Sequence, residues 1–209
     1  GMLLLLEALS VAEGSAEPGA VHPGGGAATP AASPDAEAEV ERCRTELGNL
    51  CTERFEAVEE QGRQGEVDNK AVKELRVEAN QWLEEAASHY RAAHSIARRT
   101  WRRTRRHAQH HGYSSNAVDR ADAAARSAYN FGRALFLAES FDRAADLLFE
   151  AAERCDELAD LQSEVSSGSE WAPIDDFQRE LFKANALFLL GGAYLQVDDL
   201  EAGAAAYSK

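Results

Sequence analysis

Between Asp35 and Ala172 the chain contains no proline, a gap of 138 residues in a protein of 209. Nothing in that stretch clashes with helix, so only clusters of Gly, Asn, Ser and Asp can end helical segments. Cysteine is scarce as well. Cys43, Cys51 and Cys155 give no disulfide framework, no CxxC and no Cys/His zinc spacing. Cys43 and Cys51 stand two helical turns apart, which predicts small core residues on one buried face in a reducing compartment. No apolar run reaches the length of about 18 residues that spans a bilayer. The start, GMLLLLEALSVAEG, has no basic region and breaks at Glu7, which is unlike a signal peptide. A cytoplasmic protein without a membrane span is expected. GxGxxG, Walker A, HExxH and Gly-x-Ser-x-Gly are all missing. The expectation is therefore no catalytic residue, no cofactor and no enzyme.

Positive charge is also in short supply. Lys and Arg number 22 against 36 Asp and Glu, a formal charge of −14. That disfavours global attraction to nucleic acid or anionic lipid, so any such binding must be local. Ala, Glu, Leu and Arg dominate and β-branched residues are few, a composition that favours helix.

The five prolines fall in two places. Pro18, Pro23, Pro30 and Pro34 sit in GSAEPGAVHPGGGAATPAASP, which reads as a flexible linker over residues 14–34. The Leu-rich segment before it is read as a short docking helix, with a disordered start as the alternative. Gly1 ahead of Met2 reads as a residue added in cloning. Pro173 closes SSGSEWAP, one of four breaker clusters; the others lie at 59–69, 110–116 and 138–142. Cutting there leaves segments with helical apolar spacing. The longest, 69–111, spans roughly 65 Å at 1.5 Å per residue. Its stripe runs from Val72 through Leu75, Ala79, Trp82, Ala86, Tyr90, Ala93 and Ile96 to Trp101. Another runs from Phe141 to Val165, with Ser140 as its N-cap. No segment alternates like a strand, so an all-α protein is predicted.

Two stretches match when laid side by side: NFGRALFLAESFDRAADLLFEA from Asn130 and LLGGAYLQVDDLEAGAAAYSK from Leu189. Each has Gly after a large apolar residue (Phe131–Gly132, Leu190–Gly191) and another large residue three positions on (Leu135, Tyr194). A short acidic turn precedes Phe141 or Leu200. A small residue, Ala144 or Gly203, stands twelve after the Gly, and Leu148 or Tyr207 four further on. This pattern resembles the tetratricopeptide repeat, a helix-turn-helix unit that stacks into a superhelix. The resemblance implies antiparallel hairpins stacked as a solenoid with unusually long helices. Its small residues would stand where paired helices cross most closely. The copies lie 59 residues apart rather than about 34, and no closing proline follows the first. The second stops at Lys209 inside its second helix, which predicts a longer native chain.

The expected organisation is residues 1–34 as Leu-rich segment and linker, 35–112 as a long hairpin, and 113–209 as two repeats. Within 35–112, LEEAASHYRAA is similar to a second repeat helix, with Ala86 and Tyr90 in the roles of Ala144 and Leu148.

The resemblance further implies a scaffold that holds a peptide or helix in its concave groove. It places Arg126, Tyr129, Asn130, Arg133 and Phe136 there from the first repeat, and Asn185, Phe188 and Gln196 from the second. Helical geometry agrees that 126, 129/130 and 133 share a face. Two arginines, an amide and aromatics suit an acidic or C-terminal peptide segment. Family members that clamp a terminal carboxylate use a Lys/Asn set; here Arg replaces one Asn and no matching Lys appears.

Against this stands ARRTWRRTRRHAQHH, residues 97–111. From Ala86 to Val118 there are seven arginines and no acidic residue. Arg98, Arg99, Arg102, Arg103, Arg105 and Arg106 could grip phosphates while Trp101 stacks on a base, which makes nucleic-acid binding the alternative function. The stripe thins after Trp101, so a solvated tip projecting beyond the core is expected. A turn at Gly112 would bring Asp119 beside Arg105 and Asp122 beside Arg102. The preferred partner is a protein or peptide, with an acidic surface or a second copy of the chain as candidates. His107, His110 and His111 could offer two metal ligands on one face. No nearby carboxylate or Cys completes the set, and no metal site is expected. His89 and His94, five apart, share a face poorly. Asp175–Asp176 and Asp198–Asp199 are read as helix caps.

Overall fold

The computed structural model describes residues 6–11, 13, 33–64, 69–166 and 175–209. Pro18, Pro23, Pro30, Pro173 and residues 167–173 of the insertion lie outside them. The described residues are helical throughout, joined by short turns and without a strand. Six helices follow residues 6–11: α1 (Pro34–Gln64), α2 (Asn69–His111), α3 (Ser115–Leu137), α4 (Phe141–Ser166), α5 (Asp176–Gln196) and α6 (Leu200–Tyr207). The protein is all-α, and none of these helices is long and apolar enough to cross a membrane. Contacts divide the chain into residues 1–96 and 97–209, a division that falls inside α2.

Local chemistry sets the helix starts. Pro34, grouped with the linker by composition, is the first residue of α1, where its missing N–H is harmless. Ser33 Oγ accepts from the Ala36 N–H at 3.1 Å, and Asp35 and Glu37 favour the N-terminal dipole. Asp175 accepts from the Phe177 N–H and Asp199 from the Ala202 N–H, each at 3.0 Å. These two aspartates cap α5 and α6. Ser140 stands at the cap position of α4, with its carbonyl taking the Ala144 N–H at 2.9 Å.

In the first unit, Val40, Cys43, Leu47, Cys51 and Val58 of α1 are buried, as are Ala79, Leu83, Ala86, Tyr90 and Ala93 of α2. Leu9 packs on Val40, Cys43 and Leu47, so residues 6–11 form a docked helical turn. Val72 is exposed, and the buried stripe of α2 begins later than its periodicity suggests. Gly48 faces Tyr90: a Cβ at Gly48 would lie 2.6 Å from Tyr90 Cε1. The Tyr90 hydroxyl donates to Asn49 Oδ1 at 2.8 Å and meets Thr52 Oγ1 at 3.2 Å.

The second unit is built around Trp101, which is 1% exposed. Ala97, Ala117, Val118, Ala121, Ala124, Ala125, Leu158, Leu161 and Val165 belong to the same buried cluster, with Tyr113 and Phe182 packed against it. Helices α3 and α4, joined by three residues, pack closely, as do α4 with α5 and α5 with α6. The turns after α3 and α5 have the same geometry. Glu139 and Asp198 adopt left-handed backbone at φ 57° and 61°. The next N–H, of Ser140 or Asp199, returns to Leu135 O or Tyr194 O at 2.9 Å in both. This is the hydrogen-bonded C-terminal stop that usually employs glycine.

Cys43, Cys51 and Cys155 are free and buried. Burial, with the Asp156 charge next, pushes the Cys155 thiol from 9.0 up to about 11, and its Sγ donates to Ala151 O at 3.3 Å. Two pH units cut the thiolate fraction roughly 100-fold. Iodoacetamide should therefore label Cys155 at least that much more slowly in the native protein than after denaturation. Mass spectrometry of timed samples checks this, and labelling at the denatured rate would contradict the packing.

Candidate functional site

Helical periodicity sets Arg126, Tyr129, Asn130 and Arg133 along one face of α3, and the partial exposure of the last three agrees. The rings of Tyr129 and of Phe182 on α5 meet at a tilt of 58° with centroids 5.0 Å apart, and the Arg126 guanidinium lies 5.5 Å over the same Phe182 ring. Arg126 Nε also donates to Asp122 Oδ2 at 2.7 Å. Phe136 meets Phe141 edge-on at 5.5 Å and packs near Gly192. Phe182 therefore belongs with these residues, although the repeat pattern did not select it; it stands a helical turn before Ala186.

The residues placed on α5 behave differently. Asn185, Phe188 and Gln196 are exposed. Phe188 turns toward α6, with its ring 5.9 Å from that of Tyr207. Together they wall an open cleft with Lys183, Leu187, Ala206 and Lys209. Arg126, Tyr129 and Phe136 gather where α3 meets α5, and Phe188 stands at the α5–α6 cleft.

The arginine-rich segment lies against α4 rather than projecting clear of the core, since Trp101 and Ala108 are both buried. Arg98 Nε sits 3.7 Å from Glu150 Oε1, and Arg105 Nη1 sits 3.3 Å from Glu157 Oε1. Both partners are spaced by seven residues, so the ladder repeats every two helical turns. Arg154 bridges the same glutamates at 2.7 and 3.4 Å. This corrects the expected pairing of Arg105 with Asp119 and Arg102 with Asp122; Asp122 is taken by Arg126. The reason is topological: α4, more than the returning α3, supplies the carboxylates beside this face. Arg102 and Arg106 form no ion pair among the described residues, whereas Arg99 and Arg103 do have partners. Exposed pairs of this kind contribute about 0–1 kcal/mol each, so their main effect is to reduce the local positive field. The rings of His107 and His111 lie 4.5 Å apart, tilted by 36°.

A third constellation was invisible to linear spacing. Cys51 of α1 and Glu85 and His89 of α2 bring one ligand atom each to within 4.8 Å of one another. Glu85 and His89 are one turn apart, with Oε1 and Nε2 at 3.8 Å. That Glu-x-x-x-His pair was readable in the sequence; the Cys opposite it was not. Burial, then the Arg44 charge, holds the His89 pKa below the usual imidazole value. Arg44 Nη1 stands 3.1 Å from Nδ1, and since arginine only donates, Nδ1 accepts there.

Comparison with family models, curated proteins and solved structures gave no match to this chain.

Proposed function

We propose that this chain is a non-enzymatic, tetratricopeptide-like scaffold that binds a helix or peptide segment through α3, α5 and α6. The observation that carries the reading is an exposed apolar stripe on α5. Phe177, Leu181, Phe188 and Leu195 are 68%, 46%, 67% and 41% exposed, and their spacing of four, seven and seven aligns them along one side of the helix. Leu200 and Tyr207 of α6 are exposed as well. An apolar run of this kind with polar flanks is the usual mark of an interaction surface.

Internal recurrence supports the repeat reading. Gly132 and Gly191 are 59 residues apart, and so are the left-handed Glu139 and Asp198. Each glycine faces a large side chain of the following helix, Leu148 or Tyr207. Gly48 facing Tyr90 has the same form, again with Gly after a large residue (Leu47) and Ala86 four residues before the ring. It supplies the small residue of a first helix ahead of Ala86 and Tyr90.

The phosphate-binding alternative at Arg98–Arg106 receives less support. If Arg102 and Arg106 alone met phosphates, the salt slope of log K would be only about −2.

Selection of a displayed library of helix-forming peptides against the purified protein tests the proposal. Binders should carry apolar residues at i, i+4 spacing beside acidic ones. Phe188→Ala should weaken them by about 2 kcal/mol, roughly 30-fold. Arg126→Ala with Arg133→Ala should also weaken them, with melting temperature lowered by only a few degrees, the cost of the Asp122 ion pair and the Phe182 contact. Failure to enrich binders, or affinities indifferent to both variants, would refute the scaffold reading. A complex with RNA at low salt that dissociates steeply as salt rises would favour the alternative.

A further inference from the structure

The hydrogen-bonding of the three cysteines is unequal. Cys43 Sγ donates to Glu39, and Cys155 Sγ to Ala151 O. Cys51 is as deeply buried, at 1% exposure, yet its thiol makes no hydrogen bond among the described residues. It instead faces a carboxylate and an imidazole from the neighbouring helix. A core chosen only for packing has no need of that grouping.

We infer that Cys51, Glu85 and His89 form a binding site for one borderline divalent cation of the Zn2+ or Co2+ type. The donor set is sulfur, nitrogen and oxygen, which suits such ions better than Mg2+ or Ca2+. Bonds of about 2.0–2.3 Å in a tetrahedron separate ligand atoms by roughly 3.3–3.8 Å. The three atoms, already within 4.8 Å, need close by about 1 Å. The Glu85 side chain is 54% exposed and free to make that adjustment, and its exposed position gives the ion a route in. Water completes the fourth position.

Charge balance favours occupancy. On binding, the Cys51 thiol loses its proton to solvent, so thiolate and Glu85 carboxylate together neutralise the dication. The ion takes Nε2 of His89, and the ring proton shifts to Nδ1. Arg44 must then release Nδ1, which it can do because its other guanidinium nitrogen already pairs with Glu13. The ion thus links α1 to α2 and directs Arg44 to Glu13.

Cobalt titration into the reduced full-length protein tests the site. One equivalent should produce a thiolate-to-cobalt charge-transfer band that Zn2+ abolishes, and Zn2+ should raise the melting temperature reversibly to a chelator. Cys51→Ala should remove the band, while Cys43→Ala and Cys155→Ala keep it. Glu85→Gln, at an exposed position, should weaken cobalt about tenfold or more. His107→Ala with His110→Ala and His111→Ala should leave the band unchanged, which separates the site from the exposed histidines. Absence of the band in the wild-type protein overturns the proposal, as does its survival in Cys51→Ala. Should Cys51→Ala fail to fold, unchanged cobalt affinity in Glu85→Gln overturns it equally.

Discussion

Trp101→Ala should lower the stability of the second unit by about 3–5 kcal/mol, with the upper end expected. The side chain is 1% exposed, and five of the nine other buried members of its cluster are alanine: Ala97, Ala117, Ala121, Ala124 and Ala125. Alanine has no rotamers with which to collapse into the space a lost indole leaves. The cavity therefore persists, and persistence sets the cost of large-to-small changes. A domain stability of about 5–15 kcal/mol would be largely consumed, and the melting temperature should fall by roughly 10–20 °C. Trp82→Ala is the control. Trp82 is only half-buried, its indole nitrogen 3.5 Å from the exposed Glu78, so its loss should cost about 1 kcal/mol. Thermal melts followed by circular dichroism distinguish the two. Equal shifts for both variants would mean that Trp101 does not centre a packed core.

The same tryptophan shows what periodicity can and cannot reveal. Trp101 ends the apolar stripe of α2, and that alone predicts burial. Its neighbours come from α3 and α4, however, and the sequence holds no register between helices far apart along the chain. The arginines illustrate the consequence. Folding back at Gly112 nominates Asp119 and Asp122, because the nearest helix in sequence is the natural candidate. The observed partners, Glu150 and Glu157, stand on α4. Helix ends were legible because the breakers are local: Gly112 has φ 86°, and Asp175 and Asp199 cap their own helices. On α3, Arg126 and Tyr129 were legible as a face, while Phe182, which covers them, was not. Cys51 opposite Glu85 and His89 was hidden for the same reason.

The glycines facing neighbouring helices make the sharpest test of that missing register, since alanine at each should give a different result. Gly→Ala inside a helix gains about 1 kcal/mol when nothing opposes it. Gly62 has no neighbour within 4 Å of a new Cβ, so Gly62→Ala should stabilise by up to that amount. At Gly191 the new Cβ would lie 2.6 Å from Tyr207 Cζ. Tyr207 is 48% exposed and can swing toward solvent, leaving a change near zero. At Gly132 the obstacle is Leu148 Cγ at 2.9 Å, a side chain fully buried but flexible. Gly132→Ala should cost about 1 kcal/mol after the helix gain is subtracted. At Gly48 three Tyr90 ring atoms lie at 2.6–2.9 Å. That ring is rigid, 4% exposed, and tied by its hydroxyl to Asn49 and Thr52. Moving it strains the packing by about 1–3 kcal/mol and loosens two hydrogen bonds, one buried and one part-buried, of about 1 kcal/mol each at most. Gly48→Ala should therefore destabilise by about 2–4 kcal/mol, and Tyr90→Leu in the same chain should restore part of the loss by removing the ring. Urea denaturation of the four single variants measures the order Gly62, Gly191, Gly132, Gly48, from gain to greatest loss. If Gly48→Ala proves as stable as Gly62→Ala, α1 and α2 do not cross at Gly48, and the third recurrence of the repeat pattern falls with that crossing.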